Sequence, residues 1–550
     1  MFSTPASLLN PPSRSPFGLL SWVSVWLIVC CNWALWSTLW ALPELTGLQF
    51  AGFALLLLVA LWAAFVGLGS LLAWRYTLKP FLIISLIVAA VCSYFMVTYK
   101  IIIDRSMIVN ALQTDTKESF ELLNWRMLVF VGLLGVLPSV WVWRSKVSYP
   151  MLTSALKRNL FTSIGALSLT IVLVWLGFQN LAVINRSHTQ LRYSVTPFNA
   201  YVSTFRALNT KKPSAKLPLQ AIGTDVSMAS RSGLPPLLVL VVGETARADR
   251  FGINGYARDT TPKLKALSQN EGVASFGNAW SCGTNTAASV PCMFSSLGKT
   301  AFESSDARLE GLLHLIQRAG MGVAWIDNQA GCKGVCENLP TVDIAATPAG
   351  KQCAGGECRD TTMLPELSAQ LSAMSPAQRA RGVVLVMHQM GSHGPAYYKR
   401  TDALHKTFKP ECASNALPQC DLGHVNNTYD NTIVATDDFL AQTIDWARAQ
   451  TAFASALVYV SDHGESLGEN GLFLHGLPYA IAPDVQKHVP WISWFSNAYT
   501  QNTGVSTACL AAASGAKISH DHYFHSVLGL LGLQTALYQP NLDAYKGCYK

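Results

Sequence analysis

The chain begins with long apolar runs and ends with short ones, and that change of period divides it. Five apolar stretches lie before residue 185, near residues 17–42, 48–74, 80–99, 127–143 and 160–184. Most reach the roughly 20 residues that a helix needs to cross a bilayer. No Ala-x-Ala-like cleavage site follows the first, so five in series predict a polytopic anchor rather than a signal peptide. Later apolar runs are brief and rich in β-branched residues: Leu237–Val242, Gly322–Ile326, Val383–Met387 and Ala456–Val460. Such runs suit strands buried on both faces. Residues 306–319, 362–374 and 430–449 between them have a helical pattern, and alternating β and α predicts an open, mostly parallel sheet with helices on both sides. The expected organisation is a transmembrane domain over 1–185 with five helices, a bridging linker over 186–234, and an α/β domain over 235–550.

Composition agrees with an anchor. Half of the 550 residues are hydrophobic and 13% are charged, which excludes a purely soluble or disordered chain. The net charge of +8 hints at a polyanionic partner until it is located. Residues 1–200 hold 13 Lys/Arg against 5 Asp/Glu, whereas 201–550 hold 27 of each. Nucleic acid is therefore not an expected partner. The short segments with Arg14, with Arg75 and Lys79, and with Arg144, Lys146, Lys157 and Arg158 contain no acid. Segments 43–47 and 100–126 are acidic or balanced. The positive-inside rule then predicts a cytoplasmic N-terminus, and an odd number of spans puts everything after residue 185 outside.

Cysteine usage fits that topology. Cys30, Cys31 and Cys92 fall in apolar stretches, and the other ten follow residue 280. Their spacing suggests local disulfides in an oxidising compartment: Cys282 with Cys292, Cys332 with Cys336, Cys353 with Cys358, Cys412 with Cys420, and by elimination Cys509 with Cys548. A single zinc site built from Cys332, Cys336, Cys353 and Cys358 is the competing reading.

Each short apolar run is followed by polar, chemistry-bearing residues. These are Gly243-Glu244-Thr245, Asp327-Asn328-Gln329, His388 with Ser392-His393-Gly394, and Ser461-Asp462-His463-Gly464-Glu465. Ligands of open α/β sheets bind outside the carboxyl ends of the strands. Singly, such residues are commonly helix caps; four runs delivering carboxylates, amides and imidazoles to one edge predict a site. His475 follows a Gly-rich loop and can return to it. A mixed Asp/Glu/His set suits zinc, with manganese the weaker fit. Ser281-Cys-Gly-Thr-Asn-Thr-Ala-Ala-Ser-Val-Pro-Cys292 is a hydroxyl-rich segment closed by two cysteines. With a helix beginning near Thr286 or just after it, a hydroxyl there would lie at a positive helix end. His520, His522 and His525 lead into an apolar run and read as a helix start.

These motifs, in this order, resemble the membrane-bound phosphoethanolamine transferases of Gram-negative bacteria, the family that includes the lipid A enzymes and the mobile colistin-resistance proteins. The resemblance rests on Val-Val-Gly-Glu244-Thr-Ala-Arg, Ser-Cys-Gly-Thr-Asn-Thr286-Ala-Ala-Ser-Val-Pro-Cys-Met-Phe, Asp-Asn-Gln-Ala-Gly-Cys-Lys333-Gly-Val, His-Gln-Met-Gly-Ser-His393-Gly-Pro, and Ser-Asp462-His463-Gly-Glu-Ser-Leu-Gly-Glu-Asn-Gly with His475. It implies five spans and a periplasmic domain of alkaline-phosphatase/sulfatase-like α/β fold, anchored in the bacterial inner membrane. Thr286, rather than Thr284, would be the nucleophile. Glu244, Thr286, Asp462 and His463 would hold a catalytic zinc. His393 and His475 would contact the phosphoryl group, aid proton transfer or bind a second zinc. Lys333 and Asn328 would position the donor phosphate, with Gln329 the neighbour able to take the place of Asn328. Asn110, Thr114 and Glu118, in an outside loop, would help bind the lipid donor.

The implied reaction is a ping-pong transfer of phosphoethanolamine from phosphatidylethanolamine to a lipid A phosphate, by a monomer, giving polymyxin resistance. A lipopolysaccharide core sugar as acceptor, or a membrane-anchored metal-dependent phosphatase, are the alternatives. The sulfatase sequence Cys-x-Pro-x-Arg is absent.

Overall fold

The computed structural model describes residues 13–42, 47–113, 122–178, 181, 189–209, 218–228, 233–353 and 358–549. The chain forms two compact units, one of Met1–Ile108 with Leu123–Asn209 and one of Val109–Leu122 with Thr210–Lys550.

The first unit is helical. Its apolar helices are α1 (Pro16–Cys30), α2 (Trp33–Trp40), α3 (Gly47–Ser70), α4 (Leu78–Thr98), α5 (Trp125–Arg144) and α6 (Leu152–Leu176). Among the described residues, four helices are long and apolar enough to cross a membrane; a fifth span exists if the pair α1 and α2, bent by 51°, counts as one. The sequence pattern over 17–42 shows no break there. The break falls at Asn32, whose buried side chain donates to the carbonyls of Leu27 and Thr196 and accepts from the Thr196 amide. An amide that satisfies backbone groups in this way competes with the helix ladder. The last span also starts earlier than expected, just after Pro150, so Lys157 and Arg158 lie within α6 rather than in a loop. Gly67 sits where α3 meets α6: a Cβ there would come 2.8 Å from the Leu167 side chain, so the small residue permits the close approach.

The second unit is built on an eight-stranded sheet. Its strands are β1 (Pro236–Gly243), β2 (Ala274–Trp280), β3 (Gly322–Asp327), β4 (Thr341–Asp343), β5 (Val383–His388), β6 (Ala454–Ser461), β7 (His488–Phe495) and β8 (Ile518–Ser519). Their spatial order is β8-β2-β7-β6-β1-β5-β3-β4. Only β7 runs against its neighbours β6 and β2; every other pairing is parallel. The four central strands β1, β3, β5 and β6 are buried at every residue, as their unbroken apolar runs demand. On one face, Leu238, Leu240 and Val242 join a core with Leu312–Ile316 and Tyr523–Leu531. The long helix α7 (Leu422–Arg448) buries Ile433, Phe439, Leu440 and Ile444.

Parallel register brings distant residues level at one edge. Val242 is opposite His388, Asp327 is opposite His388, and Gly243 is opposite Ser461. The strands β1, β2, β3, β5, β6 and β8 therefore all release their following loops on the same side.

Candidate active site

Glu244, Asp462 and His463 follow directly on β1 and β6, and all three are fully buried. Their donor atoms lie within 4.8 Å of one another. His463 Nε2 is 3.4 Å from Glu244 Oε1 and 3.5 Å from Asp462 Oδ2. The surroundings orient each donor atom. Asp462 Oδ1 accepts from the Thr245 and His463 amides at 3.1 and 2.7 Å, which leaves Oδ2 facing inward. His463 Nδ1 lies 2.9 Å from the Gly464 carbonyl, so it carries the proton and Nε2 keeps its lone pair. Glu244 Oε1 accepts from the Thr245 hydroxyl. Gly391 packs beneath: at φ +50° a Cβ there would be 2.7 Å from the Glu244 carbonyl oxygen.

Among the described residues, Asp462 Oδ2 and His463 Nε2 are buried without a hydrogen-bond partner. An orphaned carboxylate oxygen beside an orphaned imidazole lone pair costs free energy unless a cation joins them. Two carboxylates and one imidazole are a donor set that fits zinc, and the Nδ1–carbonyl bond is the usual support of a metal-bound histidine. Without the metal, burial and the Glu244 charge push Asp462 up to about 6. Burial pulls His463 down, but Asp462 and Glu244 together outweigh it and push it up to about 10.

Thr286 completes the cluster. It is the first residue of helix α8 (Thr286–Met293), capped by the Asn285 side chain, which accepts from the Ala288 amide. Its hydroxyl donates to Glu244 Oε2 at 3.0 Å. Thr284 points elsewhere, donating to the Leu477 carbonyl. The loop is held by the Cys282–Cys292 disulfide and by the Gly476 amide, which donates to the Thr284 carbonyl. Residue 476 follows His475, so the same bond ties the histidine loop to the threonine loop.

The imidazoles form a row. The His475 ring centroid is 4.3 Å from that of His463 and 5.8 Å from that of His393. His475 Nδ1 lies 3.3 Å from Glu465 Oε1, a fully buried carboxylate, and Arg400 donates to the His393 carbonyl. Gln329 reaches Glu244 directly: its Nε2 donates to Oε2 at 3.2 Å. Asn328 instead donates to Asp360 and the Cys358 carbonyl. Lys333, half-buried within the Cys332–Cys336 staple, donates from Nζ to the Ala330 carbonyl. Asn110 lies in the helix Arg105–Gln113; Thr114 and Glu118 lie outside the described residues. The pairs Cys353–Cys358, Cys412–Cys420 and Cys509–Cys548 are also disulfides, so the alternative of a four-cysteine zinc site falls.

Further polar groups brace the site. Arg247 pairs with Asp249 and Glu469 and donates to the Glu465 carbonyl. Tyr429 donates to the carbonyl of Thr245, a non-glycine residue at φ +59°. His388 Nδ1 lies 3.1 Å from Asp327 Oδ2. Burial opposes that charge, but the Asp327 carboxylate more than offsets it and His388 stays protonated more readily than usual.

Comparison with known proteins bears on this geometry. Residues 236–533 match the family described as Sulfatase, and residues 61–212 match the family described as Phosphoethanolamine transferase EptA/EptB. Phosphoethanolamine transferase EptA of Salmonella typhimurium is 37% identical, over 97% of this chain and 98% of the relative. Phosphatidylethanolamine transferase Mcr-1 of Escherichia coli is 38% identical, over 94% of this chain and 95% of the relative. The solved integral membrane protein lipooligosaccharide phosphoethanolamine transferase A of Neisseria meningitidis superposes with a TM-score of 0.92 at 32% identity, covering 98% of this chain and 100% of that one. The expected architecture, apolar helices followed by a sulfatase-like α/β domain, is the one found.

Proposed function

Because this chain belongs to the phosphoethanolamine transferase family, we propose that it moves phosphoethanolamine from phosphatidylethanolamine to a lipid A phosphate through a covalent phospho-threonine at Thr286. The observation that carries this reading is the Thr286 hydroxyl, 3.0 Å from Glu244, beside a buried donor set in which two atoms have no hydrogen-bond partner among the described residues. Glu244, Asp462, His463 and Thr286 would hold zinc. Bound there, zinc supplies positive charge that makes the threonine hydroxyl easier to deprotonate and offsets charge on the phosphoryl oxygens.

The protein's own groups do the rest. The Thr286 oxygen forms a bond to the donor phosphorus while the bond to the diacylglycerol oxygen breaks, and the hydroxyl proton leaves with diacylglycerol. In the second half, an oxygen of the acceptor phosphate attacks the same phosphorus and Thr286 regains a proton. His393 and His475 are the groups available to carry that proton, with Glu465 fixing the His475 ring. The amino terminus of α8 favours negative charge on the phosphoryl group; Gln329, which donates to Glu244, would serve as the neutral donor to it and Lys333 as the cationic one. Residues 1–185 serve as an inner-membrane anchor with a cytoplasmic N-terminus, 186–234 bridge to the catalytic domain over 235–550, and that domain works as a monomer in the periplasm. Masking a lipid A phosphate lowers outer-membrane negative charge and with it the binding of cationic polymyxins.

Mass spectrometry of lipid A from cells expressing the full chain tests the reading. The wild type adds a phosphoethanolamine mass that Thr286→Ala does not. An unchanged addition by Thr286→Ala would overturn it, and addition confined to core sugars would move the acceptor.

A further inference from the structure

His520 is 1% exposed and lies immediately after β8, the short strand paired with the end of β2. Its two ring nitrogens face the two halves of the active site. Nδ1 accepts from the Cys282 amide at 3.1 Å, in the loop that ends at Thr286. Nε2 lies 3.0 Å from the Ser461 carbonyl, the residue before Asp462. One acceptor and one donor on a single ring require the neutral tautomer with the proton on Nε2.

Ser461 extends the connection. Its hydroxyl accepts from the Ala246 amide at 2.8 Å and donates to the His463 carbonyl at 3.0 Å. Ala246 stands two residues beyond Glu244. Through Ser461, His520 therefore reaches the segments that carry Glu244, Asp462 and His463, and through Cys282 the segment that carries Thr286. Cys282 follows β2 by two residues and Ser461 ends β6; β7 lies between those two strands in the sheet, so no ladder hydrogen bond joins β2 to β6 directly. The neighbours of His520 reinforce the anchor: the Ser519 hydroxyl accepts from the Asp521 amide and Asp521 accepts from the Lys299 amide.

We propose that His520 is a positioning residue for transfer, a hydrogen-bonded strut that sets the distance between the Thr286 hydroxyl and the Glu244, Asp462 and His463 donor set. This rests on the reading of Thr286 as nucleophile. A strut of this kind acts on the reacting geometry and leaves binding of the lipid donor unchanged. Misplacing a reacting group by about 1 Å costs on the order of 100-fold in rate.

The test compares His520→Phe, which keeps a buried ring and removes both bonds, with His520→Gln, whose side-chain amide restores an acceptor and a donor. Full-length variants in lipid nanodiscs are assayed with fluorescent phosphatidylethanolamine, with bound zinc and thermal melting measured alongside. His520→Phe should bind one zinc and show kcat lowered by about 10- to 100-fold with KM within about twofold of wild type. His520→Gln should recover most of kcat. A folded His520→Phe with kcat within about twofold of wild type overturns the strut, as does a folded, zinc-loaded His520→Gln that is as slow as the Phe variant. Thr286→Ala, run in parallel, separates the two ideas: if it still transfers, the nucleophile reading has failed whatever His520 does.

Discussion

Replacing Asp462 by Asn removes one charge and one inward-facing carboxylate oxygen while sparing the surrounding backbone. Oδ1 already takes the Thr245 and His463 amides at 3.1 and 2.7 Å, and an amide oxygen can accept both. Oδ2, which has no hydrogen-bond partner among the described residues, becomes an NH2 group 3.5 Å from His463 Nε2 that has no lone pair for a cation and can occupy the imidazole's. Losing an outer-shell partner of a metal ligand costs about 10–100-fold in affinity. Losing the ligand itself should exceed the upper figure, which is roughly 3 kcal/mol. Zinc titrated into the full-length protein against a chromophoric chelator measures this directly. The metal-free state should respond in the opposite direction. Burial and the Glu244 charge push Asp462 up to about 6, so a neutral amide removes a repulsion, and metal-free Asp462→Asn should melt no lower than the metal-free wild type. A zinc Kd within about tenfold of wild type would refute the assignment of Asp462 as a ligand.

Three further outcomes follow. Cys282 and Cys292 are 10 residues apart; opening so short a loop in Cys282→Ala/Cys292→Ala should cost about 3 kcal/mol of stability in denaturant melts, and activity should fall further than stability because the staple holds the Thr286 loop. Gln329→Leu removes the donor to Glu244 at 3.2 Å and should lower kcat by about tenfold with zinc still bound; loss of the zinc instead would show that Gln329 supports the metal. Burial, with a smaller push from His463, draws His520 down to about 4, below the ordinary value of about 6.5. The folded state thus resists protonation, so this contribution to stability is present above about pH 6.5 and is lost as pH falls toward 4. Thermal melts should show a steeper loss over that window for wild type than for His520→Gln.

The strands legible in the sequence are those with unbroken apolar runs. Residues 237–242, 322–326, 383–387 and 456–460 each grew by one to three residues in the structure and delivered their polar neighbours to one edge. The strands without such a run have a broken or very short pattern: β2 carries Gly277 and Asn278, β7 contains Pro490, and β4 and β8 have three and two residues. The break in the first apolar stretch is similarly invisible, because it depends on Asn32 bonding to Thr196, 164 residues away. Within the site, Glu244, Asp462 and His463 could be anticipated because they follow strands. Gln329 and Asn328 could not be told apart by position, since both follow β3 and only the folded chain shows which amide reaches Glu244 and which turns to Asp360. His520 left no signal beyond a helix start. Its two partners are backbone groups 238 and 59 residues away, and backbone partners leave no trace in residue type.

The central claim is that Thr286 carries the group in transit. With phosphatidylethanolamine supplied and the acceptor omitted, the full-length protein should accumulate a covalent adduct, and peptide mapping by mass spectrometry should place phosphoethanolamine on Thr286, with release of one diacylglycerol per protein and none from Thr286→Ala. Transfer to lipid A at wild-type rate by a protein that never acquires the adduct, or an adduct on Thr284 instead, would contradict it.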